Sequence, residues 1–258
     1  MKAAVVYKKG SEDISEEVVA FLVDNSVSVT KFSTSSKKLE NFDFIVSIGG
    51  DGTILGILQK VEKCPPIFGI NTGRVGILNH SEPENFREGL SEVLRGKVET
   101  EEFTRIEGRI RRVKLTAMNE IAVLSAIPAK LVGVSVRIDG VEVENLRGDG
   151  MLFSTSIGST AYALSSGGPV IDPQIQSILI VPVAPFKIGW RPWVTGIDRK
   201  IEVSVHTGEA LIVADGQKTV DFPSDRTLVI RKFKHPAVFF KSPSGRIEKI
   251  VERIKTID

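Results

Sequence analysis

The first hundred residues alternate between short apolar runs and segments with a helical period. The apolar runs predict four strands, at Lys2–Tyr7, Val27–Phe32, Phe42–Ile48 and Pro66–Ile70. Apolar residues at helical spacing predict three helices, at Glu12–Asn25, Thr53–Glu62 and Pro83–Arg95. Strands that alternate with helices form right-handed βαβ units, so this region predicts an α/β domain with a parallel sheet.

The pattern changes after Gly96, where the apolar runs become short, β-rich and separated by turns. Nine strands are predicted in this region, at Phe103–Arg112, Val113–Leu124, Val132–Ile138, Val141–Asn145, Met151–Ser156, Ser177–Val183, Ile201–Val205, Ala210–Ala214 and Thr227–Lys232. Asp139-Gly140 lies between two of them and is a hairpin signal. A single helical turn is predicted at Ser159–Leu164. These segments indicate a mostly antiparallel, all-β domain.

The C-terminal residues return to the α/β pattern. Val238–Lys241 predicts a strand, and Gly245–Lys255 predicts an amphipathic helix. We therefore expect this tail to pack back on the first domain. The predicted organisation is an α/β domain at 1–98 joined by the tail 236–258, and a β-rich, dinucleotide-binding domain at 99–235.

Composition narrows the class of protein. The chain has 258 residues, of which 41% are hydrophobic, and a net charge of +2, which argues against a nucleic-acid binder. Cys64 is the only cysteine, which excludes an intramolecular disulfide and argues against a Cys-based zinc site. No signal-peptide pattern precedes the first strand, and the uncharged stretch Met151–Ile171 contains too many serines, threonines and glycines for a membrane span. These features predict a cytoplasmic protein.

The segment IVSIGGDGTIL, residues 45–55, places three glycines and an aspartate where a buried strand passes into a helix. Ligands of open α/β sheets bind at the carboxyl ends of the strands, and glycines let the backbone approach a pyrophosphate closely. A purely structural alternative is that Asp51 caps the helix that begins near Thr53. Four consecutive turn-forming residues at this junction favour a ligand site.

Asp51 needs an explanation, because a carboxylate should repel a bound phosphate. The chain contains neither the P-loop pattern GxxxxGK[ST] nor the dinucleotide fingerprint GxGxxG, so neither accounts for the glycines. A carboxylate beside phosphates can take the proton from an attacking hydroxyl, or it can help to hold Mg²⁺. Both roles are typical of phosphoryl transfer.

The GGDGT segment resembles the motif of NAD kinases, whose relatives include diacylglycerol and sphingosine kinases and, more loosely, 6-phosphofructokinases. Five further segments resemble the NAD kinase pattern: NTGRVGIL at 71–78, AMNEIAV with Asn119-Glu120, Gly148-Asp149-Gly150, SIGSTAYALSSGGPVIDP at 156–173, and Asp215-Gly216-Gln217. They cover most of the chain in the order of the family, and the long Gly-Ser-Thr-Ala-Tyr stretch distinguishes NAD kinases from the other groups.

The resemblance implies a role for each matched residue. Asp51 would lie near the 2′-hydroxyl of the adenosine ribose and act as general base. Asn119 and Glu120 would bind the dinucleotide through adenine and ribose hydroxyls. The other implied NAD-binding residues are Gly50 and Gly52 at the phosphates, Asp149 at the nicotinamide half, Thr160, Ala161 and Tyr162 at the adenine and ribose wall, and Ser165 nearby.

Most of these residues also have an ordinary structural alternative. Asn119 could satisfy a buried backbone group, and Tyr162 could belong to the core. Asp149, between two glycines, and the pair Asp215-Gly216 could simply form turns. Two arginines near the ligand loops, Arg74 and Arg147, could neutralise phosphate or lie in solvent. Only the ordered set of motifs therefore favours the functional interpretation.

The implied reaction is phosphorylation of the 2′-hydroxyl of NAD to give NADP, with ATP or polyphosphate as donor. A divalent metal ion, Mg²⁺ by this reading, would arrive with the nucleotide, since the sequence shows no dedicated metal site. The expected partners are NAD, the nucleotide donor and further copies of the chain in a homo-oligomer, a dimer or tetramer. No nucleic acid or membrane is expected.

Two other functions stay open on the residues alone. A lipid kinase of the diacylglycerol or sphingosine type could share the glycine loop, but it would need an apolar acyl cleft or a membrane-facing patch. A non-catalytic dinucleotide-binding sensor would keep the ligand residues and would not need Asp51. The hydroxyl-rich Gly-Ser-Thr-Ala-Tyr stretch argues against the lipid kinase, and the intact aspartate argues against the sensor.

Overall fold

The structure, a computed structural model, describes residues 1–33, 39–73 and 76–255. The strands in chain order are β1 (Lys2–Tyr7), β2 (Ser28–Ser33), β3 (Phe44–Ile48), β4 (Ile67–Ile70), β5 (Thr100–Phe103), β6 (Ile106–Ile110), β7 (Val113–Ala117), β8 (Glu120–Ser125), β9 (Val132–Ile138), β10 (Val141–Gly148), β11 (Gly150–Thr155), β12 (Ser177–Val183), β13 (Trp193–Gly196), β14 (Ile201–Thr207), β15 (Ala210–Ala214), β16 (Lys218–Phe222), β17 (Thr227–Lys232) and β18 (Ala237–Phe240). The α-helices are α1 (Glu12–Asp24), α2 (Asp51–Leu58), α3 (Phe86–Leu94), α4 (Tyr162–Ser165) and α5 (Arg246–Lys255), with 3₁₀ turns at Pro83–Asn85 and Ile157–Thr160.

The chain divides into two compact units, one formed by Met1–Glu102 with His235–Asp258 and the other by Phe103–Lys234. The first unit contains a six-stranded sheet in the order β2-β1-β3-β4-β18-β5, and the pairs among β1 to β4 are parallel. All five residues of β3 are buried, as expected for a strand covered on both faces. The mostly parallel sheet confirms the predicted fold class of this region, including the return of the tail as strand β18.

The second unit contains two antiparallel six-stranded sheets, in the orders β10-β9-β14-β17-β6-β7 and β13-β12-β11-β8-β15-β16. One apolar core takes side chains from both sheets, for example Val134 and Val203 from the first and Ile121 and Phe153 from the second. This is a β-sandwich, and it confirms the predicted antiparallel, all-β class. The Asp139-Gly140 hairpin is also confirmed: their φ angles are 49° and 86°, and they connect β9 to β10 as a type I′ turn would.

Several element boundaries differ from the prediction. Helix α2 begins at Asp51 instead of Thr53, so the aspartate is the first helical residue rather than part of a preceding loop. Strand β5 was not predicted: only its last residue, Phe103, belongs to the predicted strand Phe103–Arg112, and β5 lies at the edge of the first sheet, beside β18. Strands β13 and β16 were not predicted either, since both are mostly exposed and lack a clear apolar run.

The segment Val113–Leu124 was predicted as one strand and is instead two, β7 and β8. The break falls at Met118-Asn119, where the backbone N–H groups donate to the carboxylate of Asp215. A side chain distant in sequence therefore takes donors that a continuous ladder would have used.

Candidate active site

The three glycines of the GGDGT loop differ in whether packing requires them. A Cβ on Gly49 would meet Oγ1 of Thr53 at 2.2 Å, so close packing alone requires glycine there. A Cβ on Gly50 or Gly52 would meet no atom within 4 Å, and Gly50 has an ordinary φ of −86°. Packing and backbone conformation therefore do not demand glycine at these two positions, and their bare backbone leaves open space beside Asp51.

Asp51 is held by three hydrogen bonds from one short segment of the same unit. The N–H groups of Leu78 and Ile77 donate to its two carboxylate oxygens, at 3.0 Å to Oδ1 and 3.2 Å to Oδ2. The side-chain amide of Asn79 donates to Oδ1 at 3.2 Å. Within the described part of the chain, Oδ2 thus accepts one hydrogen bond and Oδ1 accepts two. The carboxylate is fixed in direction, and Oδ2 keeps lone-pair capacity for another donor.

The charge state of Asp51 reflects opposing effects. Burial raises the pKa of this half-buried carboxyl above its usual range. The N–H groups of Leu78 and Ile77 and the positive charges of Arg253 and Arg246 lower the same pKa, but less than burial raises it. The result is a carboxylate more basic than an exposed aspartate.

In the second unit, Asp215 organises the Asn119-Glu120 segment. Its carboxylate accepts the backbone N–H groups of Met118 at 2.9 Å, Asn119 at 2.7 Å and Glu120 at 3.2 Å. Asp215 has a φ of 51° and stands at the turn between β15 and β16, so the predicted hairpin turn is present. The same residue thus makes a turn and anchors a loop, and sequence reasoning foresaw only the turn.

Glu120 is a buried acid in an unfavourable setting for charge. It is 8% exposed, and no donor among the described residues reaches its Oε2 atom. Burial, with a further contribution from the negative charge of Asp215, raises the pKa of Glu120 to about 8. An acidic oxygen that is buried and unsatisfied in the free protein is suited to a ligand hydroxyl, which would supply the missing donor.

The Gly-Ser-Thr-Ala-Tyr segment packs directly against this loop. A Cβ on Gly158 would meet the carbonyl oxygen of Asn119 at 2.1 Å, so only glycine permits the approach. The hydroxyl of Thr155 donates to the carbonyl oxygen of Met118 and accepts the N–H of Gly158 at 3.1 Å. These contacts bring the start of the segment, and hence the turn that follows it, to Asn119.

The predicted binding residues of this segment differ in exposure. Thr160 is buried, and its hydroxyl donates to the carbonyl oxygen of Ile157 at 3.1 Å, so that hydroxyl already has a partner. Tyr162 is 40% exposed, and Ser165 is exposed as well, while Ala161 is half-buried. Tyr162 is therefore not a core residue, and its ring offers an accessible aromatic face.

The structure does not bring Asp149 to Glu120. Strands β8 and β11 pair with Ser154 opposite Glu120 and Gly150 opposite Leu124, so Asp149 and Glu120 lie at opposite ends of this ladder. Asp149 and Arg147 are both exposed in the second unit. Arg74, the other predicted phosphate-neutralising residue, lies outside the described residues.

Sequence reasoning missed the segment that holds Asp51. The 71–78 motif was noted only as a resemblance, and nothing in its letters shows that the N–H groups of Ile77 and Leu78 point at a carboxylate 26 and 27 residues away. The glycine at position 76 is the one local signal that this segment packs closely. In the structure, a Cβ on Gly76 would meet the side chains of Asn71 and Asn79 within 3 Å.

Comparison with known proteins agrees with these features. The ATP-NAD kinase N-terminal domain family matches residues 32–98, and the ATP-NAD kinase C-terminal domain family matches residues 118–242. The chain is 50% identical over 258 residues to the NAD kinase of Archaeoglobus fulgidus, with all of both chains covered. It is 42% identical over 202 residues to the NAD kinase of Methanosarcina acetivorans, which covers 77% of this chain and 73% of that protein.

Two solved structures share the fold. A crystal structure of an NAD kinase from Archaeoglobus fulgidus in complex with ATP superposes with a TM-score of 0.91 at 47% identity, covering all of both chains. Yeast NADH kinase complexed with NADH superposes with a TM-score of 0.88, covering all of this chain and 88% of that one, and its 20% identity supports the fold alone. The lipid-kinase and sensor alternatives are not favoured by these matches. The resemblance seen in the motifs is thus confirmed, and the chain belongs to the NAD kinase family.

Proposed function

We propose that this NAD kinase transfers the terminal phosphoryl group of ATP to the 2′-hydroxyl of the adenosine ribose of NAD, giving NADP and ADP. The activity is supported by the full-length relative named as an NAD kinase and by the related structure with ATP. The observation that carries the mechanism is the carboxylate of Asp51, which is fixed by three donors beside two glycines that packing does not require.

Asp51 is proposed as the general base. The ribose hydroxyl would donate to Oδ2, the oxygen that accepts a single N–H in the described structure. As the new bond from the ribose oxygen to the γ-phosphorus forms, the proton passes to Oδ2. The bond from γ-phosphorus to the bridging oxygen breaks, and ADP leaves with the electron pair. Burial raises the pKa of Asp51, which makes it a stronger proton acceptor, while its positive neighbours favour the ionised form.

We propose that the dinucleotide is held by the predicted binding residues. The open backbone at Gly50 and Gly52 would allow phosphates to approach without a Cβ clash. Glu120, whose buried Oε2 has no donor in the described chain, would accept a ribose hydroxyl, and Asn119 would contact adenine or ribose. The exposed ring of Tyr162 would cover the base, with Thr160, Ala161 and Ser165 beside it and Asp149 towards the nicotinamide half.

The described residues do not make a cage for a divalent metal ion. They contain no group of three or more His, Cys, Asp or Glu side chains that could hold one. Both oxygens of Asp51 accept N–H donors from the 77–79 segment, and we assign the remaining lone pair of Oδ2 to the ribose hydroxyl rather than to Mg²⁺. We therefore propose that Mg²⁺ enters with the phosphates of the donor, as is usual for this ion, and we assign no step to a protein-bound metal.

Assembly and compartment are proposals from the family resemblance. We propose a homo-oligomer, a dimer or tetramer, that acts in the cytoplasm. Among the described residues, no helix is long and apolar enough to cross a membrane. Light scattering of the purified protein would test the assembly, since a monomer at assay concentration would contradict it.

A coupled assay tests the reaction. Protein, NAD, a phosphoryl donor and Mg²⁺ are mixed, and NADP is detected with an NADP-specific dehydrogenase. We expect NADP to form with ATP, and parallel reactions with polyphosphate, with other nucleotides and with NADH would define the donor and acceptor. Phosphorylation of diacylglycerol but not NAD would support the lipid-kinase alternative, and NAD binding without NADP would support the sensor.

A further inference from the structure

The C-terminal helix holds the same segment that holds Asp51. Nη1 of Arg246, the first residue of α5, donates to the backbone carbonyl of Ile77 and, at 3.2 Å, to that of Asn79. Nζ of Lys249, one turn further along α5, donates to the carbonyl of Asn79 at 2.6 Å. The segment 77–79 therefore presents its N–H groups to Asp51 and its carbonyls to the cations of α5.

One peptide group joins the two sets of bonds directly. The carbonyl of Ile77 and the N–H of Leu78 belong to the same peptide unit, and this unit accepts from Arg246 at one end and donates to Oδ1 of Asp51 at the other. Hydrogen bonds in such a chain polarise one another, so a cation on the carbonyl makes the N–H a stronger donor. Arg246 thereby acts on Asp51 through the backbone as well as through space.

Arg246 is itself fixed. Its Nε donates to Oε1 of Glu101 at 2.8 Å, its Nη2 lies 2.7 Å from the same oxygen, and Arg246 is only 7% exposed. A buried guanidinium requires acceptors on its several N–H groups. It finds them on Glu101 and on the two carbonyls of the 77–79 segment, so the arginine links the edge of the sheet to the backbone that holds Asp51.

The charged groups around Asp51 come mainly from α5. Arg253 and Arg246 favour its ionised form directly, and Lys249 interacts with it as well. The negative groups that face this cluster are Glu82 and Glu252, which act on Lys249, and Glu101, which pairs with Arg246. The surroundings of the carboxylate are therefore dominated by positive charge supplied by one helix.

We propose that Arg246, supported by Glu101 and Lys249, is a positioning residue for phosphoryl transfer, which orients the carboxylate of Asp51 through the Ile77–Leu78 peptide group. The proposal rests on the proposed role of Asp51 as general base. Glu101, Arg246 and Lys249 all lie outside the two segments that the family comparison matches. The first turn of the C-terminal helix, through Arg246 and Lys249, thus positions the segment that holds the proposed base.

The test compares Arg246→Gln with Lys255→Gln, which removes one positive charge from an exposed position on the same helix. We expect Arg246→Gln to lower kcat by about tenfold to a hundredfold, because a small misplacement of a reacting group has effects of this size. The KM for NAD should change little. The loss of positive charge should also raise the pKa of Asp51, so the acid limb of the kcat–pH profile should move to higher pH.

Two further variants keep the test decisive if Arg246→Gln does not fold. Lys249→Gln removes the half-buried lysine that shares the Asn79 carbonyl with Arg246. The double variant Arg246→Gln with Glu101→Gln removes both charges of the buried ion pair, so neither is left without its partner. Each should move the acid limb in the same direction as Arg246→Gln does, which a merely structural role would not do. Circular dichroism and thermal unfolding establish that each variant is folded.

The outcomes distinguish the positioning role of Arg246 from the general-base role of Asp51. If folded Arg246→Gln and the two further variants match Lys255→Gln in kcat and in the acid limb, while Asp51→Asn abolishes turnover, the positioning role is wrong and the general base stands. If Asp51→Asn keeps its turnover, the proposed mechanism fails first. If the base is Asp51 and Arg246 acts through it, adding Arg246→Gln to Asp51→Asn should lower kcat no further.

Discussion

Asp51 and Asp215 are built in the same way and are surrounded differently. Each carboxylate accepts three N–H groups from a short segment distant in sequence, residues 77–79 for Asp51 and residues 118–120 for Asp215. Asp51 faces the cations of α5 and is half-buried, whereas Asp215 is 5% exposed and lies beside the buried acid Glu120.

The difference shows that a carboxylate that accepts three N–H groups can serve either as a structural anchor or as a base. A carboxylate that anchors a loop is a structural element when it is fully covered, as Asp215 is. The same arrangement becomes chemically useful when the carboxylate is only half-buried and positive charge opposes the effect of burial, as for Asp51. The number of hydrogen bonds alone does not separate a base from an anchor.

The largest effect should follow from Asp51→Asn. The amide cannot take the hydroxyl proton, so we expect kcat to fall by about 10²- to 10⁴-fold, the usual contribution of general-base catalysis. Binding of NAD, measured by calorimetry, should persist. The amide nitrogen must also face the N–H of Ile77 or Leu78, so thermal unfolding is needed to show that the variant is folded. Turnover close to that of the wild type would remove Asp51 from the mechanism.

Asp215→Asn should act mainly on stability and NAD binding. One of the three backbone N–H groups loses its acceptor, and a buried donor without a partner costs about 1–3 kcal/mol of unfolding free energy. Because the segment positions Asn119 and Glu120, we expect the KM for NAD to rise by about tenfold, with a smaller change in kcat. Asp221→Asn, at an exposed position on β16, is the matched control. A fall in kcat as large as that of Asp51→Asn would contradict the division of roles.

Glu120, the acid beside Asp215, should make the unfolding free energy of the protein depend on pH. The pKa of Glu120 rises from 4.5 in the unfolded chain to about 8 in the folded one, so the folded state binds this proton more tightly. That stabilisation is complete below about pH 4.5 and is lost as the pH rises through about 8. The decline in unfolding free energy should reach at most about 1.4 kcal/mol per pH unit.

Glu120→Gln should remove this decline. Denaturant unfolding of the free protein between about pH 5 and pH 8 would show a flatter profile for the variant than for the wild type. Glu209→Gln, which removes an exposed carboxylate of the same unit, should leave the wild-type slope unchanged. Equal slopes for Glu120→Gln and the wild type would mean that Glu120 stays ionised when the protein folds.

Features set by neighbouring residues could be predicted from the sequence. The Asp139-Gly140 hairpin follows from residues that tolerate positive φ, and the buried strand Phe44–Ile48 follows from its continuous apolar run. The glycine loop also marks the candidate site locally, since the sequence alone shows that Gly50 and Gly52 flank Asp51 with backbone that carries no side chain.

Features set by distant residues could not be predicted. The break between β7 and β8 depends on Asp215, about a hundred positions along the chain, and the surroundings of Asp51 depend on Arg246 in the C-terminal helix. Hydrophobic periodicity reports which face of an element is buried, but it carries no information about which carboxylate collects its N–H groups.

Asn79→Ala should lower kcat the least, and it tests how far the comparison of Asp51 with Asp215 depends on one side-chain donor. Asp51 receives one of its three bonds from a side chain, whereas the three bonds described for Asp215 come from the backbone and cannot be deleted singly. The backbone donors of Ile77 and Leu78 still hold the carboxylate when this bond is lost, so its direction should change little and kcat should fall by only about two- to tenfold. No described residue donates to Oδ1 of Asn79, so its removal also relieves an unsatisfied buried atom and limits the loss of stability. A decrease in kcat as large as that of Asp51→Asn would show that the side chain of Asn79, and not the backbone of residues 77 and 78, sets the direction of the base.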